Sequence, residues 1–278
     1  MNATPELDPV EDRERLQLVV SYDGSNFAGS QLQRGVRTVQ GELGAALAAL
    51  AGSPVTTVFA GRTDRGVHAA GQVVTCADIR PGEADERILR AVNGLLPEDI
   101  SVTSVRRRPA SFHARFDALW REYRYRIWSG PRQPLVRGHV WERIARLDAM
   151  KMHRAAQEFV GERDMAALAS HGRGVPWSER DSSRRGTVRT VLRCECEAVK
   201  PWWCAGGDEG TLIEIQVAAD GFLPRMVRAM VSLLVEVGRG ARRPGWIGEV
   251  LSSRDRRQAV GSAPAHGLVL WRVGYADD

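Results

Sequence analysis

Val55-Thr56-Thr57-Val58-Phe59-Ala60-Gly61-Arg62-Thr63-Asp64-Arg65-Gly66-Val67-His68 runs from a β-branched, apolar stretch into a short charged turn. Residues 55–60 read as a strand that delivers the chain into the turn, and residues 71–77 as a second strand that leaves it. Gly61 and Gly66 bound the turn, where glycine permits a sharp bend and a close approach of ligand to main chain. Between them the carboxylate of Asp64 is flanked by the guanidinium groups of Arg62 and Arg65, which also attract phosphate. A charged nucleophile with built-in anion affinity points to chemistry on a phosphate-bearing substrate. The alternative is a surface turn in which Asp64 bonds nearby backbone amides.

Working outward, residues 16–22 read as an apolar strand ending at the turn Asp23-Gly24-Ser25-Asn26. Residues 38–50 read as a helix, with Thr38 as N-cap and Val39, Leu43, Leu47 and Leu50 at helical spacing. A second helix covers 83–95, with Ile88, Leu89, Val92 and Leu96 on one face, and a strand covers 100–107. Strand, helix, strand, strand, helix, strand is the split βαβ, ferredoxin-like order. A further strand follows at 120–128. The second half repeats the plan more loosely: helix 147–160, strands 188–200 and 211–218, helix 223–237, a short helix 245–251 and a last strand 267–273. In helix 223–237, Pro224 fits the first turn and Gly238 supplies a stop.

The fold class expected is α+β: two ferredoxin-like halves sharing an extended antiparallel sheet, with helices on one face and an active-site cleft between the halves. Residues 1–15 read as a flexible tail. The N-terminal half, 16–110, carries the Asp64 turn, and the C-terminal half spans 111–278. Residues 161–186 form a long, Arg-rich, irregular stretch, read as a mobile functional loop.

The 278 residues are 43% apolar and 26% charged, ordinary for a soluble globular protein. No apolar run approaches the roughly 20 residues that span a bilayer, and the acidic, polar N-terminus lacks the apolar core of a signal peptide. A cytoplasmic protein without membrane partners is expected. The net charge is +5, and Lys151 and Lys200 are the only lysines. GC-rich coding accounts for the arginine excess but not for its clustering at 106–108, at 121, 124 and 126, at 184, 185 and 189, and at 254, 256 and 257. Arginine forks suit bidentate phosphate contacts and stack on bases, so the clusters together point to nucleic acid. Of the cysteines, Cys194 and Cys196 sit two apart on a strand and face one side. No Cys-x-x-Cys or His-x-x-x-His pair completes a metal site with Cys204, so buried thiols and no bound metal are expected.

Four segments form one pattern: Tyr22-Asp23-Gly24-Ser25-Asn26-Phe27 with Gln31; Gly61 through Ala69; Phe112-His113-Ala114-Arg115-Phe116 with Arg121-Glu122-Tyr123-Arg124-Tyr125; and Asp220-Gly221-Phe222-Leu223 with Arg228 and Glu236-Val237-Gly238-Arg239-Gly240. From about residue 16 to 275 the chain resembles the tRNA pseudouridine synthase A family, whose Gly-Arg-Thr-Asp-x-Gly-Val-His-Ala loop stands intact at Gly61–Ala69. The resemblance implies cofactor-free isomerisation of uridine to pseudouridine at positions 38–40 of the tRNA anticodon arm, by a homodimer. It makes Asp64 the catalytic aspartate acting at the ribose C1′. It makes Tyr123 the tyrosine that packs on the uracil and is placed to help remove the C5 proton, and Arg228 the partner of the aspartate. It makes Arg62 the side chain that enters the RNA in place of the extruded base. Phe112, His113, Ala114, Arg115 and Phe116 correspond to an RNA-contacting segment. For Phe112 and Phe116 core packing is the alternative, for His113 a structural role, and His68 is expected to shape the loop.

The chain departs from the family pattern at Ser30, where tryptophan is usual, at Arg163-Asp164-Met165, and at Val269, where an aromatic is common. The first two lie where RNA is expected to be held or shaped. Two other readings compete. A non-catalytic RNA-binding module of this fold gives no reason for a carboxylate between two arginines, since that carboxylate repels phosphate. A metal-dependent nuclease needs several clustered carboxylates or histidines.

Overall fold

Alternation along Arg15–Tyr22 (β1) sets the frame of the first half: Leu16, Leu18 and Val20 are fully buried, while Val19 between them is only half covered. In the computed structural model, residues 14–169, 186–201, 203 and 210–277 are described. The chain divides into two compact units, Met1–Leu119 with Leu270–Asp278, and Trp120–Val269. The elements after β1 are α1 (Val39–Ala51), β2 (Val58–Phe59), β3 (His68–Ala77), α2 (Asp85–Asn93), β4 (Ile100–Arg108) and β5 (Trp120–Ser129). They continue as β6 (Trp141–Arg143), α3 (Ala149–Ala156), β7 (Gly161–Asp164), β8 (Val188–Val199), β9 (Thr211–Ala219), α4 (Met226–Gly238), α5 (Trp246–Ser253) and β10 (Leu268–Gly274). The fold is mixed α and β; β1 pairs antiparallel with β3 and β4, β2 with β3, β5 with β9, β7 with β8 and β8 with β9, whereas β5 and β6 are parallel. Among the described residues no helix is long and apolar enough to cross a membrane.

In the first unit the strand order is β4-β1-β3-β10, with the two-residue β2 also beside β3. Leu18 lies opposite Val74 and Leu16 opposite Cys76, so one face of the sheet is a continuous apolar layer. Val39, Leu43 and Leu47 of α1 and Ile88 and Val92 of α2 are buried, each full burial contributing about 1.5–3 kcal/mol. Thr38 caps α1 as its spacing predicts, its hydroxyl accepting from the Gly41 amide at 3.2 Å. Two boundaries differ from expectation. The strand expected over 55–60 shrinks to Val58–Phe59, and α2 starts at Asp85 because Ala84 is extended and offers no capping side chain.

The second unit orders its strands β5-β9-β8-β7, with β6 parallel to β5. As β3 lies between β1 and β2 in the first unit, β9 lies between β5 and β8 here, the split βαβ order. Tyr125 and Ile127 on β5, Ile213, Ile215 and Val217 on β9, and Met230, Leu233 and Leu234 on α4 supply its core. The helix expected at 223–237 begins at Met226, because Arg225 takes a left-handed backbone (φ 62°) that leaves Leu223 and Pro224 in a turn. Gly238 does not stop the helix. It lets α3 approach, since a Cβ there would lie 2.6 Å from the Met152 sulfur. The turn out of α4 comes at Gly240, with φ +78°, closed by the Ala241 amide donating to the Glu236 carbonyl at 3.0 Å.

Cys76, Cys194 and Cys196 are buried free thiols; burial pushes Cys76 and Cys196 up to about 12, and Cys194 well up too. Cys204 and the tail 1–13 lie outside the described residues, as do residues 170–185 of the expected loop. The described ends of that loop are ordered into β7 and a short helical turn at Ala166–Leu168.

Many of the clustered arginines meet acids inside the fold. Arg107 donates to Asp78 at 3.0 Å, to Asp85, and to the carbonyls of Arg80 and Glu83, and Arg108 pairs with Asp277. Arg124 bonds Glu122 at 2.9 Å and Glu214 at 3.1 Å, Arg126 bonds Glu214 at 2.9 Å, and Arg193 bonds Glu122 at 3.0 Å. Arg254 and Arg257 pair with Asp164 and Asp255. Arg107, Arg108, Arg124, Arg126, Arg254 and Arg257, from three of the four clusters, are thus paired with acids within the fold, some two residues away (Glu122, Asp255) and some distant in sequence (Asp78, Asp277, Glu214, Asp164). The charges of Glu122 and Glu214 are buried only because two arginines meet each.

Candidate active site

The turn carrying Asp64 is a type II turn over Asp64–Val67. The Val67 amide donates to the Asp64 carbonyl at 3.1 Å, and Gly66, third of the four, has φ +75°. A side chain at that position would strain the backbone, which explains the glycine. Asp64, Arg62 and Arg65 are exposed, while Thr63 and Val67 point inward and are buried.

The inward residues are gripped from three directions. Gln72, buried on β3, receives the Gly61 amide on Oε1 (3.3 Å) and donates Nε2 to the Gly61 carbonyl (2.7 Å). Ser30 accepts the Thr63 amide on Oγ at 2.9 Å and donates its own amide to the Thr63 carbonyl at 3.1 Å. The Thr63 hydroxyl shares a 2.8 Å hydrogen bond with the Tyr22 hydroxyl, whose pKa burial pushes up to about 12. Gly29 forms an antiparallel bridge with Asp64. Behind the turn, the Gly24 amide donates to His68 Nδ1 at 3.0 Å. Asp23 Oδ1 also lies 3.0 Å from that nitrogen, but it accepts from the Ser25 amide and hydroxyl at 2.9 and 2.6 Å. One ring nitrogen cannot accept from Gly24 and donate to Asp23 together. Through the Gly24 amide, His68 ties the Asp23–Ser25 turn to the chain that leaves the Asp64 turn.

Arg62 is depressed below the ordinary guanidinium range, first by partial burial and then by the nearby positive charge of Arg115. Two like charges gathered this way attract an anion. In the Phe112–Phe116 segment, Phe112 is buried against Tyr275, ring centroids 5.1 Å apart, under the Arg108 guanidinium. Ala114 is buried too, its carbonyl accepting from the Tyr275 hydroxyl at 2.7 Å. His113 Nδ1 accepts the amides of Arg115 and Phe116, each at 3.2 Å, and its ring stacks on Phe116 at 4.3 Å. The side chains this segment can offer a ligand are therefore those of His113, Arg115 and Phe116, all half-buried.

Asp64, Arg62 and this segment belong to the first unit; Tyr123 and Arg228 belong to the second. Tyr123 lies opposite Val217 in the β5–β9 ladder and packs edge-on against Phe222 at 5.0 Å. Arg228 on α4 donates Nε to the Ala263 carbonyl at 2.6 Å, while the Ala263 amide returns a bond to the Arg228 carbonyl at 3.0 Å. Its charge is felt at the buried Tyr125 hydroxyl, which donates to the Pro264 carbonyl at 2.9 Å. Burial nonetheless raises the Tyr125 pKa strongly.

Sequence reasoning did not single out Gln72, or Tyr22 and Ser30 as holders of the loop, and no local signal joins them to it. The Arg163–Met165 departure is structural: Met165 is fully buried, and Asp164 accepts from the Ala166 amide and the Thr187 hydroxyl at 3.0 and 2.6 Å.

A family model described as tRNA pseudouridine synthase matches residues 18–117 and 155–276. The tRNA pseudouridine synthase A of Geobacillus kaustophilus is 37% identical over 268 residues, covering 95% of this chain and 96% of that protein. The protein of the same name from Pseudothermotoga lettingae is 40% identical, covering 94% of this chain and 100% of its own length. That of Solidesulfovibrio magneticus is 41% identical, with 94% and 91% covered.

Proposed function

This chain belongs to the tRNA pseudouridine synthase family, and from that premise we propose that it isomerises uridine to pseudouridine at positions 38–40 of the tRNA anticodon arm. The observation that carries the reading is the exposed carboxylate of Asp64 on a turn whose neighbouring residues are hydrogen-bonded in place. The reaction breaks the bond from uracil N1 to ribose C1′, turns the base, and joins C5 to C1′. The C5 proton leaves and N1 takes one, so atoms balance with no redox partner. An ionised Asp64 is suited to bond C1′ transiently and to leave again. In this reading Tyr123 receives the uracil and assists at C5, and Arg228 supplies the balancing cation. Arg62 takes the place of the extruded base, while His113, Arg115 and Phe116 touch the RNA. The enzyme acts in the cytoplasm as a homodimer, without a cofactor.

The test is site mapping on an unmodified tRNA transcript. Pseudouridine confined to positions 38–40 is expected; product elsewhere, or none, would overturn the assignment. Arg62→Ala is expected to slow turnover about 10-fold or more on folded tRNA, because base extrusion costs a few kcal/mol that its contacts offset. Steady-state rates on folded tRNA check this, and an unchanged rate contradicts the role.

A further inference from the structure

We infer that Ser30 is a positioning residue for Asp64. The inference rests on the catalytic reading of Asp64. Thr63, one residue before the carboxylate, has all its polar groups held: the amide by Ser30 Oγ at 2.9 Å, the carbonyl by the Ser30 amide at 3.1 Å, and the hydroxyl by Tyr22 at 2.8 Å. Ser30 is buried, and the preceding Gly29 bridges Asp64 directly. A Cβ at Gly29 would lie 3.0 Å from the Thr63 carbonyl oxygen, and Gly29 has φ +124°, so the two strands of chain run in close main-chain contact. Asp64 itself faces solvent. The backbone that carries its carboxylate leads out of Thr63, and of the three holds on Thr63 two come from Ser30. Where the family pattern places tryptophan, this chain places a hydroxyl that fixes the loop, so the departure acts on the carboxylate rather than on the RNA.

The test combines Ser30→Ala with Ser30→Thr, which keeps the hydroxyl, and reads three quantities. Single-turnover pseudouridine formation should fall about 100-fold in Ser30→Ala, the size of effect expected from displacing a reacting group by about 1 Å. The tRNA dissociation constant should stay within about twofold, with Ser30→Thr recovering most of the rate. Hydrogen exchange at the Thr63 amide should rise about 10-fold or more, because its buried acceptor is gone. A folded Ser30→Ala with wild-type rate overturns the inference, and so does an equal loss of rate and binding. If Ser30→Ala does not fold, Tyr22→Phe, which loosens the same residue from its other side, decides: a slowed rate with intact binding supports the inference, and an unchanged rate overturns it. If the wild-type protein makes no pseudouridine, the catalytic reading has failed. Thr63 exchange then still reports whether Ser30 holds the loop: faster exchange in Ser30→Ala retains the clamp, and unchanged exchange overturns it.

Discussion

Asp64→Asn is expected to abolish pseudouridine formation, by about 10⁴-fold or more, while tRNA binding stays within a few-fold. The replacement keeps shape and volume and removes the charge that makes the side chain a nucleophile. The turn survives because it is held elsewhere. Its closing bond runs from the Val67 amide to the main-chain carbonyl of residue 64, and its grips fall on Gly61 and Thr63. Thermal melting, filter binding and single-turnover assays together check the expectation. Equal loss of binding and activity would move Asp64 from chemistry to recognition.

Gly24→Ala is expected to be the most damaging single methyl in the first unit. A Cβ at Gly24 would lie 2.1 Å from the Val67 carbonyl oxygen and 2.5 Å from its carbon, both main-chain atoms. Nothing flexible can move aside, so the turn that ends at Val67 must shift. The Gly24 amide would also be drawn from His68 Nδ1. Overpacking of this kind costs about 3 kcal/mol or more, and a chain of this size loses about 2–4 °C of melting temperature per kcal/mol. Gly44→Ala is the control: it lies within α1 with open space around its Cβ position, and it should stabilise by up to about 1 kcal/mol. Calorimetry on both variants checks the contrast, which disappears if Gly24 is merely a loop residue.

The elements legible in the sequence are those whose signals are local. Thr38 and its helical spacing place the start of α1, and Ile213, Ile215 and Val217, two apart, place β9. The Asp64 turn was legible because its nucleophile, arginines and glycines are contiguous. What failed depended on partners brought from afar. Arg124 and Arg126 read as a basic patch because Glu214, whose carboxylate they share, arrives on a different strand. The start of α4 was misplaced because nothing in the identity of Arg225 announces a positive φ. Gly238 resembled a stop signal because glycine serves both turns and close helix contacts, and only the Met152 sulfur distinguishes the two. Ser30 looked like a change in the RNA-facing surface. Its hydroxyl instead meets an amide 33 residues away, a distance no motif records.

The central claim is that this chain breaks and remakes the bond between ribose and uracil. Release of tritium from C5-labelled uridine in unmodified tRNA tests it most directly, because the C5 proton must leave whenever C5 becomes the point of attachment. Tritium release by the wild-type protein, with no redox cofactor supplied, matched one-for-one by pseudouridine formed and absent in Asp64→Asn, is the predicted result. Wild-type protein that binds the tRNA and releases no tritium would contradict the claim and leave an RNA-binding module.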